Sequence, residues 1–447
     1  MSKNKIPQRA DLILDAQQII CSPDQAPLHD HSILIENGKI SGIFPSLDCQ
    51  QTAADSRVDC KHQLLFPGLI NAHTHTPMSL LKGIADDLDL ETWLNQHIWP
   101  LEGALMSEEF VKDGCNLALA EMIRSGTTCF SDMYFYPNII AACAKQAGLR
   151  AVIGLPVLEF PSAWAEDASG YIEKGLLLAD ELKHESLLST ALAPHSTYTV
   201  TPETLRKIST LSDELEKRVH IHVQETAAEI KQVVSQYGMR PMDILKNSGL
   251  INPHLIAVHM TQFSEEDIEE LAKRNANIIH CPESNHKLAS GICDVTSLMN
   301  NGINVALGTD GSASNNDLNM LAEMRTAAFT AKTTSRDATA VTAAQAFAMA
   351  TSNAAKALDL NNHCGTLATG MSADIVAMDL NTIEASPGND SLSHLIYSAA
   401  RESIRDVWVA GKQLLRDRKL TTLDEDELLA RASHWRAQIK IAQASFT

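Results

Sequence analysis

The chain has 447 residues, which is enough for two domains around one large core. Hydrophobic residues make up 45% and charged residues 20%, and the formal net charge of −19 excludes nucleic acid and anionic membranes as expected partners. No apolar run reaches the roughly 18–20 residues that span a bilayer, and we recognise no signal peptide. Nine scattered cysteines without a C-x-x-C pair predict reduced thiols and a cytoplasmic protein.

Residues 1–65 predict a compact β unit. The segments "ADLILDAQQIIC" and "HSILIENGKISGIF" alternate apolar and polar residues in part, as half-buried strands do. Asn37-Gly38 within the second segment is a strong cue for a two-residue hairpin turn.

Residues 66–362 change to short apolar runs that alternate with amphipathic helical patterns. We count eight runs: "LLFPGLINAH", "TTCFSDM", "RAVIGLPV", "LSTALAPH", "RVHIHVQE", "LIAVHM", "NIIHCPE" and "NVALGTD". Helix starts carry cap-like patterns, such as Ser264 followed by three acidic residues. Eight such repeats favour a closed (β/α)8 TIM barrel over an open doubly wound sheet, and no G-x-G-x-x-G follows the first run.

Residues 363–447 return to β texture in "CGTLATGMSADIVAMDL" and "SIRDVWVAGKQLLRD", and end in an amphipathic helix, "DEDELLARASHWRAQIKIAQ". No long linker separates either end from the middle, so we expect both ends to pair into one domain. The predicted fold is therefore α/β, with a (β/α)8 TIM barrel over 66–362 and a small β-sandwich domain built from 1–65 and 363–447.

Polar side chains stand at the ends of several of these runs. In a (β/α)8 barrel the carboxyl ends of all strands converge on one mouth. The sequence therefore predicts a shared pocket that contains His73 and His75 from run one, His195 from run four, His222 and Glu225 from run five, His259 from run six, and Asp310 from run eight.

His73 and His75 are two residues apart and would face the same way on a strand. An isolated H-x-H is more simply explained as two satisfied polar residues at a strand end. With His222 and Asp310 at the matching ends of other strands, a metal site becomes the better explanation. Imidazole suits zinc and also iron, so the ligand types leave the metal open. Run four ends in His195 rather than a lysine that could bridge two metals, which favours one ion.

Glu225 follows His222 by three residues and would stand at the rim of the metal site as a proton carrier. Asp310 can bind metal through one oxygen and accept the proton of a water through the other. His259 could orient the attacking hydroxide, although a core histidine with a backbone partner is about as good an explanation. After run one, Trp93 could cover a flat ring and Glu102 could accept hydrogen bonds from paired hydroxyls, but packing and solvation are the commoner roles of such residues.

At this point the chain resembles the amidohydrolase superfamily and, within it, the 5-methylthioadenosine/S-adenosylhomocysteine deaminases. The resemblance runs in order along the whole chain. It is carried by "PGLINAHTHTPM", "WL" and "PLE", "APHSTY", "HIHVQET", "AVHM", "HCPESN", "LGTDGSASNNDLNM" and "TLATGMSADIVAMD".

The resemblance implies hydrolytic deamination of an adenine nucleoside to the inosine analogue and ammonia. By that resemblance Glu225 protonates N1 of the purine and His259 steers the hydroxide. It further implies one zinc ion on His73, His75, His222 and Asp310, and substrate contacts from Trp93 to the base, Glu102 to the ribose hydroxyls and His195 to the purine. By analogy with such barrels we also expect a homo-oligomer.

One departure from the family bears on the substrate. Members that handle S-adenosylhomocysteine well are expected to place an arginine after strand three, near the amino-acid carboxylate. No arginine occurs here between Arg150 and Arg206, and "LPVLEFPSAWAEDAS" is apolar and acidic instead. We therefore predict a preference for methylthioadenosine over S-adenosylhomocysteine or adenosine.

Three alternatives remain open at this stage. The first is a related enzyme that acts on guanine, a pterin or a triazine, against which Trp93 and Glu102 argue moderately. The second is a two-metal cyclic amide hydrolase, which lacks its bridging lysine here. The third is an inactive barrel that serves as a scaffold, which should have lost metal ligands that this chain keeps.

Overall fold

The computed structural model describes residues 6–446. In these residues the strands are β1 Arg9–Ile19, β2 Leu28–Glu36, β3 Lys39–Pro45, β4 Ala53–Pro67, β5 Leu69–Thr74, β6 Thr127–Asp132, β7 Arg150–Val157, β8 Leu188–Pro194, β9 Val219–Val223, β10 Leu255–His259, β11 Asn277–His280, β12 Asn304–Leu307, β13 Ile375–Asp379, β14 Ile404–Val409, β15 Lys412–Arg416 and β16 Lys419–Leu420.

The helices alternate with the central strands, as the sequence pattern predicts. They are α1 Leu90–Trp93, α2 Trp99–Leu105, α3 Glu108–Arg124, α4 Pro137–Ala147, α5 Ala168–Leu182, α6 Pro202–Leu215, α7 Ala227–Tyr237, α8 Pro241–Asn247, α9 Glu265–Lys273, α10 Pro282–Lys287, α11 Val295–Asn300, α12 Ser312–Asn315, α13 Met320–Ser335, α14 Ala343–Met349, α15 Ser352–Ala357, α16 Ser391–Tyr397 and α17 Glu425–Ala444. Ser264 caps α9 in a capping box with Asp267, which confirms that predicted helix start.

Strands β5 to β12 form one parallel sheet in sequence order, and each contains part of one predicted apolar run. The sheet closes where the backbone N–H of Asp310 donates to the carbonyl of His73 at 3.0 Å, beside a parallel bridge between Thr74 and Asp310. Gly308 permits this approach, because a Cβ there would lie 2.7 Å from the backbone nitrogen of His73. The predicted (β/α)8 barrel is confirmed.

The lower interior of the barrel is filled by small and branched apolar side chains. Helix α15 packs against the amino-terminal ends of the strands, where Asn353 donates to the carbonyl of Val305. This arrangement seals the barrel beneath its carboxyl mouth. The inner cluster contains Ile70, Ala72, Cys129, Val152, Ala191, Ile256, Val258, Ile279 and Ala306 from the strands, Cys281 directly after β11, and Ala354, Ala355 and Ala357 from α15.

The chain ends form a second eight-stranded sheet in the order β16-β15-β14-β13-β4-β1-β2-β3. Strand β13 from the C-terminal part pairs antiparallel with β4 from the N-terminal part, which confirms that both ends build one β domain. The predicted hairpin is also confirmed, since Asn37 and Gly38 have φ values of 51° and 74° between β2 and β3. The domain division at 65/66 and 362/363 stays a prediction.

The predicted reduced thiols fit the structure, where all nine cysteines are buried and unpaired. Among residues 6–446, no helix is both long and apolar enough to cross a membrane.

A buried ion pair joins the barrel to the terminal sheet. Arg150, at the start of β7, donates from Nε to Oδ2 of Asp374 at 2.9 Å and from Nη2 to the hydroxyl of Ser372 at 2.9 Å. The two charged side chains are 5% and 2% exposed. Asp374, just before β13, also accepts the backbone N–H of Ala410, just after β14, at 2.8 Å, so the pair connects the start of β7 to these two segments.

Arg150→Met is expected to lower the free energy of unfolding by about 3–5 kcal/mol, because it leaves the Asp374 carboxylate buried without its counter-charge. Urea titration followed by circular dichroism measures this loss. Arg9→Met is the matched control, since the Arg9–Asp55 pair is 72% and 58% exposed and should cost about 0–1 kcal/mol. Equal losses for the two variants would contradict the prediction.

Candidate active site

Four of the predicted polar residues meet at the carboxyl mouth of the barrel. His73, His75, His222 and Asp310 each offer one ligand atom, and these atoms lie within 4.8 Å of one another. Oδ1 of Asp310 is 3.3 Å from Nε2 of His73 and 3.2 Å from Nε2 of His75, and Nε2 of His222 is 3.2 Å from Nε2 of His73. Ligands about 2.0–2.1 Å from one tetrahedral centre are about 3.3 Å apart, so the set fits a single divalent metal.

His75 lies one residue beyond the end of the strand on which the sequence places it. Strand β5 ends at Thr74, and its register with β6 shifts between Asn71 and Thr74. His75 lies at the start of the following turn, with its ring centroid 4.8 Å from that of His73. The two imidazoles therefore converge from the last residues of β5 and the residue that follows it.

Each of the three imidazoles is held by a hydrogen bond at its other ring nitrogen. Nδ1 of His75 is 2.5 Å from the carbonyl of Met133, and Nδ1 of His222 is 2.9 Å from the carbonyl of His195. A carbonyl only accepts, so both rings carry a proton on Nδ1 and direct Nε2 towards the cluster. Nδ1 of His73 instead faces another ring nitrogen, Nε2 of His220, at 2.9 Å.

The charges of the cluster also suit a cation. Burial opposes the charged form of His75, but the hydrogen bond and charge of Asp310 outweigh it and raise the pKa of His75 to about 9. Burial would raise the pKa of Asp310, yet its hydrogen bonds with His73 and His75 hold that pKa well below the usual range. Burial lowers the pKa of His73 to about 4. The site thus contains a buried carboxylate among three imidazoles, a donor set that suits a divalent cation.

The second oxygen of Asp310 is engaged by two hydroxyl groups. Ser284 and Ser314 donate to Oδ2 at 2.6 and 2.7 Å, which leaves Oδ1 facing the histidines. Acceptance of a proton by Oδ2, as the sequence predicts, would compete with these two donors. Asp310 also has φ of 64°, a left-handed conformation that costs a non-glycine residue of order 1–3 kcal/mol and is concentrated at functional sites.

Glu225 and His259 stand next to the cluster without belonging to it. Oε2 of Glu225 is 3.8 Å from Nε2 of His259, and the hydroxyl of Ser290 donates to Oε1 at 3.2 Å. Burial raises the pKa of Glu225, which brings it closer to the neutral range where a proton carrier works. Nδ1 of His259 is 2.9 Å from the side-chain oxygen of Asn285, so His259 has a side-chain partner rather than the alternative backbone one.

Two buried residues near the site were missed by the sequence analysis. Glu229, on the first turn of α7, accepts the backbone N–H of Gln224 at 3.0 Å and that of Glu225 at 2.7 Å, so it holds the loop that carries Glu225. His220 lies on β9 two residues before His222 and contacts His73. The repeated H-x-H spacing at 220–222 was the available signal for His220.

Trp93, Glu102 and His195 line the same cavity as the cluster, a space of about 500 Å³. Trp93 is 3% exposed on α1, and Glu102 on α2 accepts a short hydrogen bond from the hydroxyl of Tyr134. Burial raises the pKa of Glu102 to about 7. Nδ1 of His195 is 3.0 Å from the hydroxyl of Thr199, and its ring centroid is 5.0 Å from that of His222.

The outer part of this cavity is apolar. Its lining includes Met106, Phe135, Leu158 and Phe160, of which Phe160 is 45% exposed at the mouth. Among the described residues that line the cavity there is no lysine or arginine. A ligand group that projects towards these residues would therefore contact apolar side chains and no positively charged one.

A (β/α)8 barrel with three histidines and an aspartate gathered at its carboxyl mouth is the architecture of a metal-dependent hydrolase. The chain belongs to the amidohydrolase family, whose model matches residues 64–414.

Relatives of known name match over almost the full length. The chain is 45% identical over 431 residues to a 5-methylthioadenosine/S-adenosylhomocysteine deaminase of Teredinibacter turnerae. The aligned residues cover 96% of this chain and 98% of that protein. It is 38% identical to a 5′-deoxyadenosine deaminase of Methanothermobacter thermautotrophicus, which covers 93% and 96%. The crystal structure of an adenosine deaminase from Xanthomonas campestris with bound zinc has a TM-score of 0.96 at 44% identity, covering 98% of this chain and 100% of that one.

Proposed function

We propose that the protein is a metal-dependent deaminase that converts 5′-methylthioadenosine to the inosine analogue and ammonia. The observation that carries this is the single cavity shared by the metal-ligand cluster, Glu225, Trp93 and Glu102. It unites a hydrolytic centre with side chains that suit a purine and a ribose. The deaminase names of the relatives in Teredinibacter and Methanothermobacter support the same reaction.

Zinc is the proposed metal, held by His73, His75, His222 and Asp310. Three imidazoles and one carboxylate suit zinc, and the similar Xanthomonas protein was solved with zinc bound. When bound, such an ion lowers the pKa of a coordinated water to about 7 and so supplies a nucleophile at neutral pH. Iron also suits imidazole, and elemental analysis of the purified protein distinguishes the two metals.

Glu225 is the proposed proton carrier of the reaction. The oxygen of water bonds to C6 of the purine, the bond from C6 to the amino nitrogen breaks, and ammonia leaves. Glu225 takes the proton of the water, delivers a proton to N1 and helps transfer one to the departing amino group. His259, held at Nδ1 by Asn285, presents Nε2 beside Glu225 and is placed to steer the attacking oxygen.

Substrate orientation is assigned to three side chains. The Glu102 carboxylate accepts hydrogen bonds from the 2′ and 3′ hydroxyls of the ribose, with Tyr134 holding one of its oxygens. Trp93 lies against the base. His195 hydrogen-bonds the purine from the end of β8, on the side of the cavity next to His222.

The 5′ substituent is the proposed basis of substrate choice. Methylthioadenosine carries an apolar methylthio group, which suits the wall formed by residues such as Leu158 and Phe160. S-adenosylhomocysteine carries a carboxylate there, and no described lysine or arginine lines the cavity to pair with it. An unpaired charge costs more than about 1–3 kcal/mol, so we expect kcat/KM for methylthioadenosine to be at least about tenfold higher.

The deciding experiment is ammonia release by the metal-quantified protein with methylthioadenosine, S-adenosylhomocysteine, adenosine and guanine. Methylthioadenosine should be turned over best. If the metal-loaded protein left methylthioadenosine untouched, the proposed function would fall. If S-adenosylhomocysteine were turned over equally well or better, the deaminase function would stand, and only the proposed preference for an apolar 5′ substituent would be contradicted.

Phe160→Arg is expected to shift the ratio of kcat/KM for S-adenosylhomocysteine over methylthioadenosine upward by up to about fivefold, because an exposed ion pair contributes up to about 1 kcal/mol. Phe160 lies at the mouth, partly exposed, so the guanidinium can be accommodated without burial. Phe160→Leu is the control: it shortens the side chain without adding charge and should leave the ratio close to its original value. A ratio that rises equally in both variants would show that space, not charge, limits the larger substrate.

A further inference from the structure

His220 is an imidazole in the barrel interior, at the level of the apolar inner cluster. His220 on β9 pairs in register with Ile256 on β10, a member of the apolar inner cluster. His220 is fully buried, one layer below His222. A buried polar ring costs free energy unless its nitrogens find partners, so its position requires an explanation by its contacts.

Both ring nitrogens of His220 are occupied. Nε2 lies 2.9 Å from Nδ1 of His73, and Nδ1 lies 3.2 Å from the hydroxyl oxygen of Ser131 on β6. The three side chains form a buried chain that runs from the metal-ligand cluster across the barrel interior. His73 is itself fully buried at the top of this chain.

The direction of the hydrogen bonds decides whether His73 can bind a metal. A ligand nitrogen must be unprotonated, so a metal on Nε2 of His73 requires its proton on Nδ1. That N–H then donates to Nε2 of His220, whose own proton sits on Nδ1 and donates to the Ser131 oxygen. In the reverse direction, Ser131 donates to His220, His220 donates to His73, and the proton on His73 blocks the cluster.

His73 differs in this from the other two imidazole ligands. His75 and His222 are oriented by backbone carbonyls, which only accept and which no side-chain substitution removes. The orientation of His73 depends on a side chain. It is therefore the one imidazole ligand whose tautomer a point mutation can release.

We propose that His220 is a positioning residue for the metal site: it holds the ring of His73 and keeps its proton on Nδ1, with Ser131 at the end of the chain. The inference rests on the metal site of the proposed function, but not on the identity of the substrate. Partners of this kind commonly change metal affinity by about 10–100-fold.

The test compares His220→Leu with His220→Gln by zinc competition against a chromogenic chelator, without substrate. Leucine fills the space but offers no acceptor, so zinc affinity should fall about 10–100-fold. Glutamine can accept from His73 with its amide oxygen and donate to Ser131 with its nitrogen, so it should restore most of the affinity. Ile256→Val, at the paired position of the apolar cluster, is the control and should bind zinc as the original protein does.

Two further measurements keep the outcome decisive. Ser131→Ala removes the last member of the chain with a small change in volume, and should weaken zinc binding measurably even if the leucine variant does not fold. The visible spectrum of the cobalt-substituted protein should change in the leucine variant and return in the glutamine variant.

The proposal is overturned if folded His220→Leu binds zinc as tightly as the original protein, or if the glutamine variant is as weak as the leucine variant. Should the leucine variant fail to fold, unchanged zinc affinity in Ser131→Ala overturns it. Because these readouts use zinc or cobalt alone, a failed deaminase assignment would leave the result interpretable. Loss of deamination with normal zinc binding would count against the proposed function only.

Discussion

Glu225→Gln is expected to lower kcat for 5′-methylthioadenosine by about 10²–10⁴-fold while the protein keeps its metal. The amide has nearly the same shape as the carboxylate and can still accept from Ser290, so the cavity should be preserved. It cannot take up a proton from water and deliver it to the purine. Glu225 is not among the four clustered ligands, so metal content should stay at the level of the original protein.

The measurement pairs ammonia release with elemental analysis of the same preparation. Glu173→Gln, an exposed position on α5 away from the cavity, is the matched control and should retain full activity. A Glu225→Gln protein that kept its full rate would remove the proton-carrier role. A protein that lost both rate and metal would instead assign Glu225 to the integrity of the site.

The barrel and its mouth could be predicted because each strand can be recognised from a short stretch of sequence. Strands of a parallel barrel are covered on both sides, so they appear in sequence as continuous apolar runs, and each of the eight runs overlaps one barrel strand. Closure of such a sheet brings the ends of all runs together. The histidines and the aspartate at those ends could therefore be grouped from positions more than two hundred residues apart.

The roles of His220 and Glu229 could not be predicted, because they depend on what these side chains contact in the folded protein. His220 contacts His73 on β5 and Ser131 on β6, which are its neighbours only across the barrel interior. Glu229 looks like an ordinary acidic residue in the first turn of a helix, yet both of its oxygens turn back to the loop before α7. A sequence pattern predicts on which face of a strand or helix a side chain lies. It does not predict which residues that face contacts.

The position of His75 illustrates a related limit. Alternation along an ideal strand predicts the same outcome, two imidazoles facing one point, but the strand stops at Thr74. The turn that follows and the carbonyl of Met133 orient the ring instead. The predicted proximity is confirmed, because both residues stand at the mouth and their ligand atoms meet in one cluster.

Removal of the metal by chelator is expected to lower deamination by about 10³-fold or more, since metal-ion catalysis contributes several kcal/mol and each 1.36 kcal/mol is about tenfold in rate. Added zinc should restore the activity. The thermal midpoint of unfolding should fall on chelation and rise again with zinc, because a ligand that binds only the folded state stabilises it. Activity that survived in demonstrably metal-free protein would contradict the proposed mechanism.

His222→Ala should lower deamination as metal removal does, but added zinc should not restore the activity. The substitution removes one of four converging donors and leaves a gap between His73 and the carbonyl of His195, so stoichiometric zinc should no longer restore the rate. His184→Ala makes the same chemical change at an exposed position and should behave as the original protein does. Because three donors remain in His222→Ala, a large zinc excess should recover part of the thermal stabilisation before it recovers activity. A His222→Ala protein that kept stoichiometric zinc and full rate would show that the cluster is not the catalytic metal site.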